Sequence, residues 1–260
     1  MKNRLRLRIL GALTIAGALA FAPGAAIPAD AAPHPAAYIC SGGEIPSNTY
    51  ASLTVIGDCS VAQDAVINVR GNVLVAAGAT LDAQSFPSTI TVGHNVVGGA
   101  GSMIGLGCQS PADTGNTAHP CTKDPEGHST ITVRGNITIA GAALVALNGI
   151  TVKGNVTVRG GGPHGYWSVK NNTIGRNLDV GGMTVEWIGV MFNRIGGNAI
   201  LARITVNDEH PDAPGVYVVQ NTVGRNLICM NLIPGVSGGF AGLPNVVGHR
   251  ALGQCKALAG

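Results

Sequence analysis

Charge is scarce in this chain: only 11% of its 260 residues are Asp, Glu, Lys or Arg. Aromatic residues are scarcer, at 4%. A globular core of this size normally holds more rings, so large-ring packing is not what organises this one. Zinc-type spacing is missing too, since no Cys-x-x-Cys or His-x-x-x-His occurs. No Ser, His and Asp grouping forms a nucleophile motif, and no Gly-rich stretch is followed by the helix and Lys of a phosphate loop. No cofactor is therefore expected. Beyond the first thirty-odd residues, no apolar run reaches membrane-spanning length without charges or Gly-Asn breaks.

The N-terminal segment reads as an export signal over residues 1–31. Lys2, Arg4, Arg6 and Arg8 form a basic region, Ile9 to Phe21 is apolar, and Ala29-Asp30-Ala31 fits a small-x-small cleavage site. An uncleaved anchor is the rival reading. Cys40 lacks the Leu-x-Gly/Ala-Cys context of a lipoprotein, so an exported product without membrane insertion is expected. Four of the 16 bases and one of the 13 acids lie in that signal, which leaves 12 of each behind it. A net charge near zero argues against a nucleic-acid partner.

What is abundant is glycine, with 39 residues, accompanied by recurring Val, Ile, Thr and Asn. This mixture suits short strands joined by tight turns. Gly-Asn or Gly-x-Asn steps flanked by β-branched residues recur with reference positions at Asn72, Asn95, Asn136, Asn155, Asn177, Asn198, Asn226 and finally Arg250. The steps are 23, 41, 19, 22, 21, 28 and 24 residues. The long one is read as two turns that include a Gly/Pro-rich loop, giving a period of about 22 residues, within the range of repeat arrays. Apolar and polar residues alternate on both sides of each step, the pattern of half-buried strands. A hairpin sandwich would instead show varied turns every ~8–12 residues.

The fold class expected is therefore all-β, a single-domain parallel β-helix. Right-handed coils are expected because the strict hexapeptide pattern of left-handed ones is absent. Three residues before each reference position sits Val69, Val92, Val133, Val152, Ile174, Ile195, Val223 or Val247, which should stack inward. The Gly-Asn step is read as a positive-φ bend, and the reference asparagines as an amide ladder at the ~4.8 Å strand spacing. Five residues before the reference, Ile67, Ile90, Ile131 and Ile150 give way to Asn172, Asn193, Asn221 and Asn245, so a dry core should turn hydrogen-bonded. The expected layout is an N-terminal cap at 32–60, coils over 61–228 with an insertion at about 99–129, and a last coil and cap at 229–260.

Six cysteines follow the signal, an even number suited to disulfides in an exported chain. Fifteen pairings are possible. Their grouping at the start, middle and end favours Cys40–Cys59, Cys108–Cys121 and Cys229–Cys255.

The Asn-x-Ile/Val-Gly-x-Asn-Leu coils at 172–178 and 221–227, with the ending Asn245-Val246-Val247-Gly248…Gly253-Gln254-Cys255, resemble exported β-helix proteins of high-GC Gram-positive bacteria. That group implies a fold and a compartment, with no activity to carry over. A looser likeness runs to bactofilins, polymer-forming β-helices of the cytosol, and pectate-lyase-like enzymes share only the architecture.

Candidate chemistry is sparse. Asp179 and Glu186, with the 207–212 loop, are the candidates for a polysaccharide-cleaving site. Asp208, Glu209 and Asp212 form the densest polar cluster and are the candidates for a cation. Tyr166 and Trp167 follow a Gly-rich loop and are the candidates for stacking on sugar rings, while Trp187 reads as a covering residue. Thr91, Thr132, Thr151, Thr173 and Thr222 share an outward register that Asn68, Arg194 and Val246 interrupt, a poor ice-binding ladder. The function expected is a secreted, non-enzymatic structural or carbohydrate-binding solenoid at the cell envelope, with a cell-wall or other polysaccharide as partner. A polysaccharide lyase or hydrolase is the alternative.

Overall fold

A computed structural model describes residues 34–162, 165–207, 215–238 and 243–260. The expected signal therefore lies outside the described residues, as do Asp208, Glu209 and Asp212. Three long parallel sheets make up the fold. Each coil gives one strand to each sheet in turn, beginning with Tyr38–Cys40 in sheet A, Gly43–Ile45 in sheet B and Asn48–Tyr50 in sheet C. Sheet A has ten strands, and sheets B and C have nine each. Every strand pairs in parallel with its equivalent one coil away, as in the run Val69↔Val92↔Val133↔Val152 of sheet C. The chain is thus a parallel β-helix.

The interior is a stack of aliphatic side chains. Val69, Val92, Val133, Val152, Ile174, Ile195 and Val223 are all buried at the expected inward position. Both asparagine ladders form. On the outer one, each Nδ2 donates to the Oδ1 of the preceding coil, from Asn95 to Asn72 (3.2 Å) through Asn226 to Asn198 (3.0 Å). On the inner one, Asn193 is nearly solvent-free. Its Nδ2 donates to the Val169 carbonyl (2.7 Å) and to Asn221 Oδ1 (2.9 Å). Its Oδ1 accepts the backbone N–H and Nδ2 of Asn172, both at 3.0 Å. All of its polar atoms are satisfied, which is what allows an amide in this core.

The structure corrects three expectations. The 41-residue step is one coil and not two, because Val96–Gly98 pairs directly with Ile137–Ile139. The surplus is an insertion that begins after strand Met103–Leu106 rather than at 99. It holds a short helix, Pro111–Thr114, a 3-10 turn, Gly115–Thr117, and the Cys108–Cys121 bridge. Second, residues assigned to an N-terminal cap already form a full coil, Tyr38 to Tyr50, and most of the next. Cys40–Cys59 ties those two coils together. Third, the repeat glycines do not bend the chain through positive φ, since Gly71, Gly93, Gly135, Gly154, Gly175, Gly196, Gly224 and Gly248 all lie outside that region. They are required by close approach. A Cβ on Gly196 would lie 2.5 Å from the Gly175 carbonyl oxygen, and one on Gly224 would lie 2.4 Å from that of Gly196.

The last coil closes on a 3-10 turn, Gln254–Leu258. Gln254 bonds the Leu232 N–H and carbonyl, both at 2.8 Å, in place of a further strand. Cys229 is in register with Gly253, so Cys255 sits two residues out of register, and Gly253, with φ of 64°, turns the chain to bring it back.

Two stability measurements test this account. Gly196→Ala should lower unfolding free energy by about 1–3 kcal/mol in chemical denaturation, whereas Gly235→Ala, with open space around its Cβ, should be within about 0.5 kcal/mol of wild type. Asn193→Leu should cost about 2–5 kcal/mol, because it orphans the Val169 carbonyl and donors on Asn172 together. A neutral result would mean the inner ladder is not fully desolvated.

Candidate functional site

The outer face of sheet B carries an aromatic groove. In strand Tyr166–Lys170, the alternation sends Trp167 and Val169 inward and Tyr166, Ser168 and Lys170 outward. Strand Trp187–Met191 lies beside it in register, with Tyr166↔Trp187, Ser168↔Gly189 and Lys170↔Met191. The two strands together present an aromatic end, Ser168 on the floor and a cationic end. His119 of the insertion completes a groove of about 250 Å³.

The aromatic end is ordered by ring contacts. Tyr166 meets Trp187 edge to face at 6.0 Å between centroids, and Trp187 leans on Tyr217 at 5.3 Å. Gly189 is small for a reason: a Cβ there would fall 2.5 Å from the Trp187 ring and from the Met191 methyl. On the floor, Ser168 Oγ donates to Asn148 Oδ1 at 2.9 Å.

The cationic end is built by the insertion. Lys170 Nζ donates to the Ala118 carbonyl at 2.8 Å, and Asn171 Nδ2 donates to the Thr117 carbonyl and to Gln109 Oε1. These bonds clamp the insertion over the edge of sheet B. Burial lowers the pKa of the Lys170 ammonium. Burial, and then the neighbouring Lys170 charge, lower that of His119, so its imidazole is neutral at pH 7.

Of the two aromatic candidates, only Tyr166 is available. It is 61% exposed, while Trp167 is 1% exposed and packs in the core, so Trp167 cannot offer a ring to a ligand. Trp187, read from the sequence as a cover, is a wall of the groove. His119, Lys170 and Met191 were not singled out at all. A signal existed: Tyr-x-Ser-x-Lys at 166–170 and Trp-x-Gly-x-Met at 187–191 stand 21 residues apart, about one coil.

The acids do not converge. Asp179 lies on the outer face of sheet A, paired with Arg159, in a shallow groove beside the asparagine ladder that also includes Thr157 and Ile200. Glu186 is exposed in the bend between strands Leu178–Val185 and Trp187–Met191 and does not line that groove. The threonine row of sheet C forms in register, but Asn68 and Arg194 break it as expected. Among the described residues no group of three His, Cys, Asp or Glu is placed to hold a metal. No described helix is long and apolar enough to cross a membrane.

The lowered His119 pKa carries a sign. Above the unfolded value near 6.5 the imidazole is neutral in both states and contributes nothing. Below it, the unfolded chain takes the proton more readily, so stability falls with pH. His119→Gln should flatten the decline in Tm between about pH 7 and pH 5 relative to wild type. An unchanged slope would place His119 in solvent.

Compared with protein-family models, curated proteins and solved structures, the chain matches none.

Proposed function

We propose that this protein is a secreted, non-enzymatic β-solenoid that binds carbohydrate at the cell envelope. The observation that carries the reading is the groove on sheet B, where exposed Tyr166 and half-buried Trp187 form one end beside Ser168. Aromatic faces suit the amphipathic surface of a sugar ring, and a few convergent polar groups give orientation. Three disulfides with no free cysteine fit an oxidising compartment, and the basic and apolar segments of residues 1–31 fit export. Asp179 is paired with Arg159 and lines a groove that does not include Glu186, which favours binding over cleavage, since bond cleavage needs both carboxyl groups flanking one glycosidic bond.

The test is retention of the oxidised protein on a panel of insoluble cell-wall and plant polysaccharides, with each supernatant assayed for released sugars. Depletion without product is expected, and Trp187→Ala or Tyr166→Ala should weaken retention by roughly tenfold or more, in line with a buried stacking contact of about 1–2 kcal/mol. Release of reducing or unsaturated sugars would replace this reading with a hydrolase or lyase.

A further inference from the structure

We propose that the sheet B groove takes a sugar bearing a carboxylate, with Lys170 and His119 receiving the acid while Tyr166 and Trp187 receive a neighbouring ring. This rests on the carbohydrate-binding reading and narrows it. The two ends of the groove differ in kind. At the far end sit one ammonium and one imidazole, and among the described residues no carboxylate lines the groove.

The ion pairs found among the described residues are Arg159 with Asp179 and His128 with Asp113, so Lys170 has a carbonyl for a partner where a charged partner would be stronger. An ammonium carries three donors, and the Ala118 carbonyl occupies one of them. A partly buried ammonium lacking a counter-charge loses solvation without recovering it, which is the cause of its lowered pKa. A ligand carboxylate supplies that counter-charge. Neutral His119 adds an N–H donor without a second charge, so the end matches a single anionic oxygen pair.

Orientation follows from the opposite end. Glu186 precedes Trp187 and is exposed there, so it repels an acid from the aromatic end. Tyr166 and Lys170 are four residues apart on one strand, about 13 Å at the strand rise. That exceeds one pyranose ring, so the stacked ring and the acidic ring are neighbours in an oligosaccharide. Between them Ser168, whose proton is engaged by Asn148, offers its oxygen to a sugar hydroxyl.

The experiment compares one oligosaccharide in two charge states. Calorimetric titration uses a hexasaccharide of alternating glucuronate and N-acetylglucosamine, native and as its methyl ester. The native form should bind roughly tenfold tighter, as a charge-assisted contact implies, and the gap should close in about 0.5 M salt. Lys170→Met should abolish the difference in affinity between the acid and the ester. Lys170 also holds the insertion, but the wild-type comparison of acid with ester needs no variant. Equal affinity for both forms overturns the carboxylate assignment and leaves ring stacking intact. Binding of neither overturns the assignment too, and the retention assay decides separately whether the groove takes sugar at all.

Discussion

Everything in this fold depends on the spacing between successive coils. Parallel strands sit ~4.8 Å apart, and every coil must lie on the one before it at that distance around its whole circumference. At the corner after sheet C the backbones come closest, and a side chain there would meet the carbonyl of the previous coil. The glycines from Gly71 to Gly248 answer that constraint. The asparagines one or two residues on answer the next one, since each side chain accepts from the backbone and amide of the coil beside it. Glycine admits the approach and asparagine bonds across it.

The same spacing makes the interior repetitive and leaves individuality to the outside. Inward positions repeat as Val, Ile and Leu, because each coil must fill the same cross-section as its neighbours. Where asparagine replaces isoleucine from Asn172 onward, it does so in four consecutive coils. A single buried amide would lack partners, whereas a stacked series supplies them. Function is then confined to the outer faces and to whatever interrupts them. A long interruption, closed by Cys108–Cys121, folds back over sheet B and changes a flat sheet face into a groove. The secreted carbohydrate-binding role proposed for it follows from that local change in shape.

A β-helix was legible in the chain because period and alternation are local properties. The reference asparagines, the inward Val and Ile positions, the second ladder and the disulfide pairs all agree with the structure. The role of the repeat glycine was misjudged, because composition cannot distinguish a residue needed for positive φ from one needed for close approach. The 41-residue step was misjudged as well, because its length matches two coils, and only the pairing of Val96 with Ile137 shows that one coil carries an insertion. The candidate site was half legible. Tyr166 stood out, but adjacency along the chain suggested Trp167 as its companion, whereas strand alternation sends that side chain to the core.

The sequence by itself determined the class of fold, the period and the inward face of the repeat positions, since each follows from spacing along the chain, and it favoured one pairing of the cysteines. Only the tertiary structure decided which distant residues meet. Tyr166 joins Trp187 because coils stack in register, and Lys170 joins His119 because the insertion returns over sheet B. Neither contact is encoded in local pattern. Both arise from the way one coil is laid against another, and that is set by backbone pairing across the whole stack.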